Sequence, residues 1–300
     1  MTQTKENFDP STAAQTGIGP TFMVAVEQYF PSEQRIIHDD LALKILPMGY
    51  QLLIKLLRIP LLRNWMVKVS EKQVEGIWSG ILVRKRYIDD KVVAAVSGEN
   101  SVKAIVNLGA GYDTRVYRLP DLATVPVWEV DQPVNIEAKQ KNLQKALGQI
   151  PSHITLVPIN FIEQELGAVL QAHSYPSDSK TFFVWEAVSQ YLAESAVRQT
   201  FEFLAQAPTG SPLAFTYVLK DFVEGLNLYG SEKFYERMIV KDNAWHFGFN
   251  PENVADFLSE YGWRLIEDLG YDELGERYTK PTGRNLPAMT IERMVYAEKI

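Results

Sequence analysis

The residues that could do chemistry cluster at two short stretches, KAIVNLGAGYDTRVYRL at 103–119 and VWEVDQP at 127–133. In the first, an apolar β-branched run ends at Leu108 and Gly109-Ala110-Gly111 turns sharply away. Glycine permits positive φ and lets a ligand approach the backbone closely. In an open α/β sheet, ligands bind beyond the carboxyl ends of the strands where strand order reverses. A dinucleotide fingerprint needs a third glycine where Thr114 stands, so close packing of a pyrophosphate is disfavoured. The second stretch brings Asp131 about 20 residues past the glycines, where a carboxylate bonds a ribose diol. Together the two stretches fit an adenosine cofactor without phosphates, as in S-adenosylmethionine, better than they fit NAD. Two alternatives stay open: Asp131 caps the helix that starts at Pro133, or Glu129 is the ribose partner.

The elements that must hold these residues follow from texture. From Thr21 to about Ala95 apolar residues recur at spacings of three and four, with Pro31, Pro47 and Pro60 dividing the region into short helices. Beyond Gly98, strand-like runs alternate with helical ones. Strands are expected at Lys103–Leu108, Val125–Val130, Ile154–Val157, Thr181–Trp185, Pro212–Val218, Trp263–Leu269 and Thr290–Glu298. Helices are expected at Pro133–Leu147, Ile162–Ala172 and Glu194–Ala207. Such alternation implies a parallel sheet with helices on both faces. The stretch Gly270–Ala288 has poor helical periodicity, which makes the final strand a candidate for antiparallel insertion. The expected organisation is a loose tail over 1–20, a helical cap over 21–98 and an α/β core over 99–300, with a substrate-covering insertion at about 220–250.

Composition excludes several alternatives. There is no Cys, hence no disulfide, thiolate metal site or cysteine nucleophile. The four His show no metal-ligand spacing, so no metal is expected. A net charge of −7 argues against a nucleic-acid partner. The longest apolar region, Leu41 to Val69, is broken by Lys44, Pro47, Lys55, Arg58, Pro60, Arg63 and Lys68, and stable membrane insertion is not expected. The N-terminus lacks a basic-then-apolar signal pattern, so a cytoplasmic enzyme is expected. From Leu41 to Ser70 there are five basic side chains and no acidic one among many Leu and Ile. That pattern reads as a lid over an apolar substrate, as a surface touching anionic membrane, or as plain helix packing with solvated charges.

NLGAGYDTRVYRL followed by WEVDQP closely resembles the leucine carboxyl methyltransferase family, and within it the bacterial branch of polyketide-type O-methyltransferases. The likeness extends forward to WEAVSQYL at 185–192 and back to VRKRYIDD around Arg84 and, faintly, DDLAL at 39–43. It implies a Rossmann-like class I methyltransferase fold: a seven-stranded, mostly parallel sheet with its last strand antiparallel, and S-adenosyl-L-methionine as cofactor. By resemblance, Arg84 pairs with the cofactor's carboxylate; the sequence alone allows a solvated helix face, since Lys85 and Arg86 adjoin it. Gly109, Ala110 and Gly111 border the methionine part and Asp131 binds the ribose. Asn160 stands where relatives carry an Asp beside the adenine, keeping a carbonyl acceptor but losing the charge; Phe161 supplies an apolar wall. Glu186 lies near the amino group or sulfonium, or is a helix-start carboxylate. Ala187 replaces the family's glycine.

Asp113, Thr114 and Arg115 are expected to shape the glycine loop by local bonds, with Arg115 alternatively paired to Asp131 or Glu129. A carboxylate acceptor needs no base, whereas a phenol or alcohol does. Tyr191 and His246 are the candidate bases, His246 also reading as an ordinary member of an aromatic cluster; Tyr217 reads as packing. The acceptor expected is a carboxyl or hydroxyl of a small apolar metabolite. A protein C-terminal carboxylate, or a non-catalytic cofactor-binding role, are the alternatives.

Overall fold

The computed structural model describes residues 17–98, 100–161 and 163–300. Residues 1–16 of the expected tail and Ile162 of an expected helix lie outside the described residues. The tail is shorter than expected at its inner end, because helix α1 starts at Ile18 and runs to Glu27. Pro20 falls in its first turn, where a missing N–H costs nothing.

Helices α2 (Met48–Leu56), α3 (Pro60–Gln73) and α4 (Ile77–Val96) follow, with a short α-helical turn before them at Ala42–Ile45. Pro47 precedes the first and Pro60 opens the second, the positions where proline's fixed φ favours a start. Helix α4 is unbroken for 20 residues and lies against the sheet, so the helical region does not stand apart from the core.

The strands are β1 (Ala104–Leu108), β2 (Val127–Asp131), β3 (Ile154–Pro158), β4 (Thr181–Trp185), β5 (Pro212–Val218), β6 (Trp263–Leu269) and β7 (Glu292–Lys299). They form one sheet in the order β3-β2-β1-β4-β5-β7-β6. Pairing is parallel from β3 to β5, and β7 runs antiparallel between β5 and β6. The expected reversal of the last strand is therefore present, as an insertion between two neighbours. Helices α5 (Pro133–Leu147), α6 (Leu166–Ala172), α7 (Glu194–Leu204) and α8 (Pro251–Glu260) are the longer ones between the strands, with short helical turns besides.

The period of two along each strand divides the core between two faces. Ala104, Val106 and Leu108 of β1 join Phe183 and Trp185 of β4 in one cluster. Ile105 joins Phe182 and Val184 in the other, with Trp78, Leu82 and Val83 of α4. Both faces are covered, as a mainly parallel sheet requires. The chain leaves the β3 edge and resumes at β4 on the other side of β1, which places the reversal of strand order between β1 and β4. The loops after β1, β2, β3 and β4 share one end of the sheet. At about 4.8 Å per strand they span about 14 Å.

Candidate active site

The glycine loop is held from below by the sheet and from the side by a carboxylate. Gly109 and Ala110 both donate their N–H to Val130 O, at 2.8 and 3.1 Å. Gly109 has φ 70°, and a Cβ there would fall 2.3 Å from Val188 Cγ2, so only glycine fits. Gly111 has φ 39°, and a Cβ there would stand in ordinary van der Waals contact with Asp131 Oδ2, Gly17 Cα and Gly109 O at 3.9–4.0 Å. Both glycines thus take the positive φ that glycine alone adopts at little cost.

Asp131, at the tip of β2, accepts the Gly111 N–H through Oδ2 at 2.6 Å. Its other oxygen accepts from Gln132 N and Asn135 Nδ2. It does not cap α5 in the usual way, since it takes no backbone N–H of the second or third helical residue. The competing carboxylate, Glu129, is fully buried and committed: Lys139 Nζ lies 2.7 Å from one oxygen and Tyr117 donates its hydroxyl to the other. Burial nonetheless raises the Glu129 pKa against the pull of Lys139.

Behind the loop lies a connected set of buried charges. Arg84 donates Nε to Glu186 at 3.0 Å and Nη1 to both oxygens of Glu292 at 2.8 and 2.9 Å. Lys85 reaches Glu186 at 3.2 Å. Arg115 meets Glu186 through Nη2 and lies 2.8 Å from Asp113 and 3.6 Å from Asp89. Arg118 bridges Asp89 and Asp39, and Thr114 donates its hydroxyl to Asp39. Asp113 accepts from Arg115 N and Asn107 Nδ2, which ties the loop to β1.

The solvated-face alternative for Arg84 is thus overturned, and Lys85 is buried beside it; only Arg86 is solvated, paired with Asp90. The sequence pattern could not show this, because a helix wrapped by carboxylates and one wrapped by water carry the same run of basic residues. Asp113, Thr114 and Arg115 do shape the loop by local bonds. Arg115 pairs with neither Asp131 nor Glu129.

Burial alone would raise Glu186, but Lys85, Arg115 and Arg84 outweigh it and hold the carboxyl down at about 2. Asp113 is held well below the usual carboxylate range in the same way, with Arg115 and Lys85 overcoming burial. Asp89 goes the other way, burial outweighing Arg118 and Arg115. Glu186 is no helix-start carboxylate: it is the acidic hub of three cations at the tip of β4. Next to it Ala187 takes φ 55°, a left-handed backbone that favours glycine, with its N–H donated to Thr216 Oγ1 at 2.9 Å.

The remaining candidates flank this centre. Asn160 and Phe161 follow β3, with Asn160 N donated to Gln164 Oε1 and Phe161 packed on the core. Tyr191 and His246 are brought together through backbone: His246 N donates to Gln190 O at 2.7 Å. The Tyr191 ring meets Trp245 edge-on at 6.2 Å. The His246 side is exposed, whereas Trp245 is buried among Phe222 and Phe234. Tyr217 is fully buried and donates to Asp268 at 2.9 Å, a packing residue as expected.

A cofactor combining a ribose with a zwitterionic amino-acid end suits this donor set. Asp131 supplies an acceptor for a diol, and Arg84 with Glu186 presents a cation and an anion side by side. Comparison with known proteins meets this geometry from outside. A family model described as leucine carboxyl methyltransferase matches residues 17–205. The chain belongs to that family. Like other leucine carboxyl methyltransferase family members, it is an S-adenosyl-L-methionine-dependent methyltransferase.

A relative from Mycobacterium bovis BCG, assigned to that activity, is 29% identical over 266 residues, covering 86% of this chain and 83% of the relative. One from Mycolicibacterium gilvum, assigned likewise, is 31% identical over 217 residues, covering 71% and 69%. Among solved structures, a Thermobifida fusca YX protein assigned as a methyltransferase superposes with a TM-score of 0.57 at 14% identity, covering 79% of this chain and 87% of that one. A DUF574 family protein from Streptomyces avermitilis gives 0.50 at 15% identity, covering 73% and 84%. At such identities these likenesses carry the fold alone, and the fold agrees with the class I methyltransferase sheet expected from the sequence.

The sequence reading missed Lys85, Glu292 and Val188. Val188 carried a faint signal, since it follows the left-handed Ala187 directly; Glu292 carried none, standing 208 positions from the arginine it pairs with.

Proposed function

We propose that this methyltransferase family member acts on an oxygen of a small, apolar metabolite, a carboxylate or a hydroxyl, as polyketide-type O-methyltransferases do. One observation carries the reading: the His246–Gln190 backbone bond pins the aromatic segment 222–249 beside the β4 loop. That loop also carries Glu186 and presses Val188 onto Gly109. The edge-on contact of Tyr191 with Trp245 supports reading the segment at about 220–250 as an apolar cover over the acceptor.

When bound, S-adenosyl-L-methionine supplies an electrophilic methyl group on a sulfonium that leaves as a neutral thioether. The chain's own task is to bind and orient. Asp131 would accept the ribose hydroxyls, Asn160 and Phe161 would receive the adenine, and the backbone of Gly109, Ala110 and Gly111 would border the chain between. Arg84 and Glu186 would take the carboxylate and the ammonium, an opposite pair facing an opposite pair. Holding the acceptor oxygen at roughly 3–3.5 Å from the methyl carbon is the principal rate contribution assigned to the protein. A carboxylate acceptor arrives ionised. A hydroxyl acceptor would deliver its proton to the imidazole of His246, or to Tyr191 if that side chain is the phenolate.

Calorimetry provides the first test. S-adenosylmethionine and S-adenosylhomocysteine should bind and NAD should not, and Asp131→Ala should weaken adenosyl binding by about tenfold or more. Unchanged affinity in that variant removes the ribose assignment. Labelled methyl transfer to a panel of aryl and alkyl acids, phenols and peptides with free carboxyl termini tests the acceptor. Label on peptides alone overturns the small-metabolite reading. His246→Ala and Tyr191→Phe should leave turnover of an acid nearly unchanged and reduce that of a phenol about 100-fold for whichever residue is the base.

A further inference from the structure

Helices α2 and α3 turn most of their apolar surface outward. Met48, Leu52, Leu56, Ile59, Leu61 and Trp65 are each more than half exposed. Among the described residues, nine of the fifteen exposed large apolar side chains fall between Met48 and Trp65, while the other six are scattered singly. Scattered exposure is ordinary on a globular protein; a contiguous patch marks something that covers it. The inward residues are few: Ile54, Leu57 and Arg63 are buried, Arg63 lying over the Phe30 ring.

The charge around the patch says what the cover is. Lys44, Lys55, Arg58 and Lys68 are exposed, and among the described residues none of them forms an ion pair. No Asp or Glu occurs from Leu41 to Ser70, although the whole chain is at −7. On a chain of net negative charge, a face with exposed cations and no carboxylate is the one drawn to a negative surface. A second copy of the chain would set these cations against their own kind. Apolar side chains flanked by Lys and Arg that lack carboxylate partners, with an exposed Trp among them, match the boundary between acyl chains and anionic headgroups. No described helix is long and apolar enough to cross a bilayer, so such contact stays in the interface plane.

We propose that the α2–α3 face is a docking surface for a phospholipid bilayer carrying anionic headgroups. The contact lies one helix away from the cofactor loop. Phe22 of α1 meets Tyr50 of α2 edge-on at 6.3 Å, and Thr21 of the same α1 donates its hydroxyl to Tyr112 O, beside Gly111.

The test uses the whole chain and vesicles of phosphatidylcholine with or without phosphatidylglycerol. Of the six Trp, only Trp65 is exposed, so intrinsic fluorescence reports this face directly. Binding should shift the emission to shorter wavelength on the mixed vesicles and weaken as salt is raised. Trp65→Phe should abolish the shift and retain sedimentation with the vesicles. Leu61→Glu should lower vesicle affinity by about tenfold or more, as should Lys55→Glu combined with Arg58→Glu. Because both sites are exposed, these variants keep the fold, checked by circular dichroism. No sedimentation with either vesicle overturns the proposal. So does equal binding with and without phosphatidylglycerol, or a dimer in sedimentation velocity that Leu61→Glu dissociates.

Discussion

Two regions of this molecule invert the usual placement of side chains. Under the glycine loop, Arg84, Lys85, Arg115, Arg118, Asp39, Asp89, Asp113 and Glu292 are buried, and all are paired. On the α2–α3 face, leucines and a tryptophan are exposed, and among the described residues Lys44, Lys55, Arg58 and Lys68 beside them form no ion pair. In the first region each charge has its counter-charge within the chain, although Nε and Nη1 of Arg115, Nε of Arg118 and Oδ1 of Asp89 make no hydrogen bond. The second is unfinished, and its apolar surface and exposed cations ask for something outside. Completeness of charge pairing separates parts of a fold that make a site from parts that meet a partner.

The sharpest way to break this comparison is to remove one cation from the first region. Arg115→Met should leave Asp113 and Glu186 short of a buried counter-charge and cost about 3–5 kcal/mol in urea unfolding. A loss under 1 kcal/mol would mean that water reaches the network.

Acid probes the same region more gently. Glu186 is depressed from near 4.5 to about 2, so its stabilisation is present at neutral pH and lost as pH falls through that window. On the order of 3 kcal/mol separates its two protonation states. The stability gap between the wild type and Glu186→Gln should therefore shrink between pH 5 and pH 2, as read by thermal unfolding. A gap independent of pH would show that the three cations do not stabilise the carboxylate.

How far the sequence spoke follows the same division. The glycine loop, the strand ends and helix Pro133–Leu147 were legible because their signals are local: glycines at positive φ, Pro133 at the first helical turn, Gly148 just after the last. Helix Pro251–Glu260 carried equally local signals in Asn250 and Pro251 and passed unnamed beside the aromatic stretch. The burial of Arg84 and Lys85 was not legible, because their carboxylate partners come from β4 and β7 and no spacing rule links residues so far apart. Ala187 was legible as a departure, and its backbone shows how the departure is absorbed.

Ala187→Gly should relieve that backbone. A side chain at φ 55° costs about 1–2 kcal/mol, and glycine's extra freedom in the unfolded chain returns about 0.5–1 of it. The net expected is about 0.5–1 kcal/mol of added stability in a melting experiment; destabilisation would mean that the alanine methyl packs usefully. At the unfinished face the smallest effect is expected. Leu61→Glu should change unfolding free energy by less than about 0.5 kcal/mol, since no burial is lost.

The Arg84–Glu292 contact has a consequence for biogenesis. The arginine lies in the first third of the sequence and its carboxylate partner on β7, which must thread between two strands already made. A ribosome has to translate through residue 299 before that strand can close the sheet. Until then the nascent chain holds a half-neutralised guanidinium beneath a partly built sheet. The buried arginine therefore gains its second carboxylate only at the end of synthesis, after most of the sheet has been made.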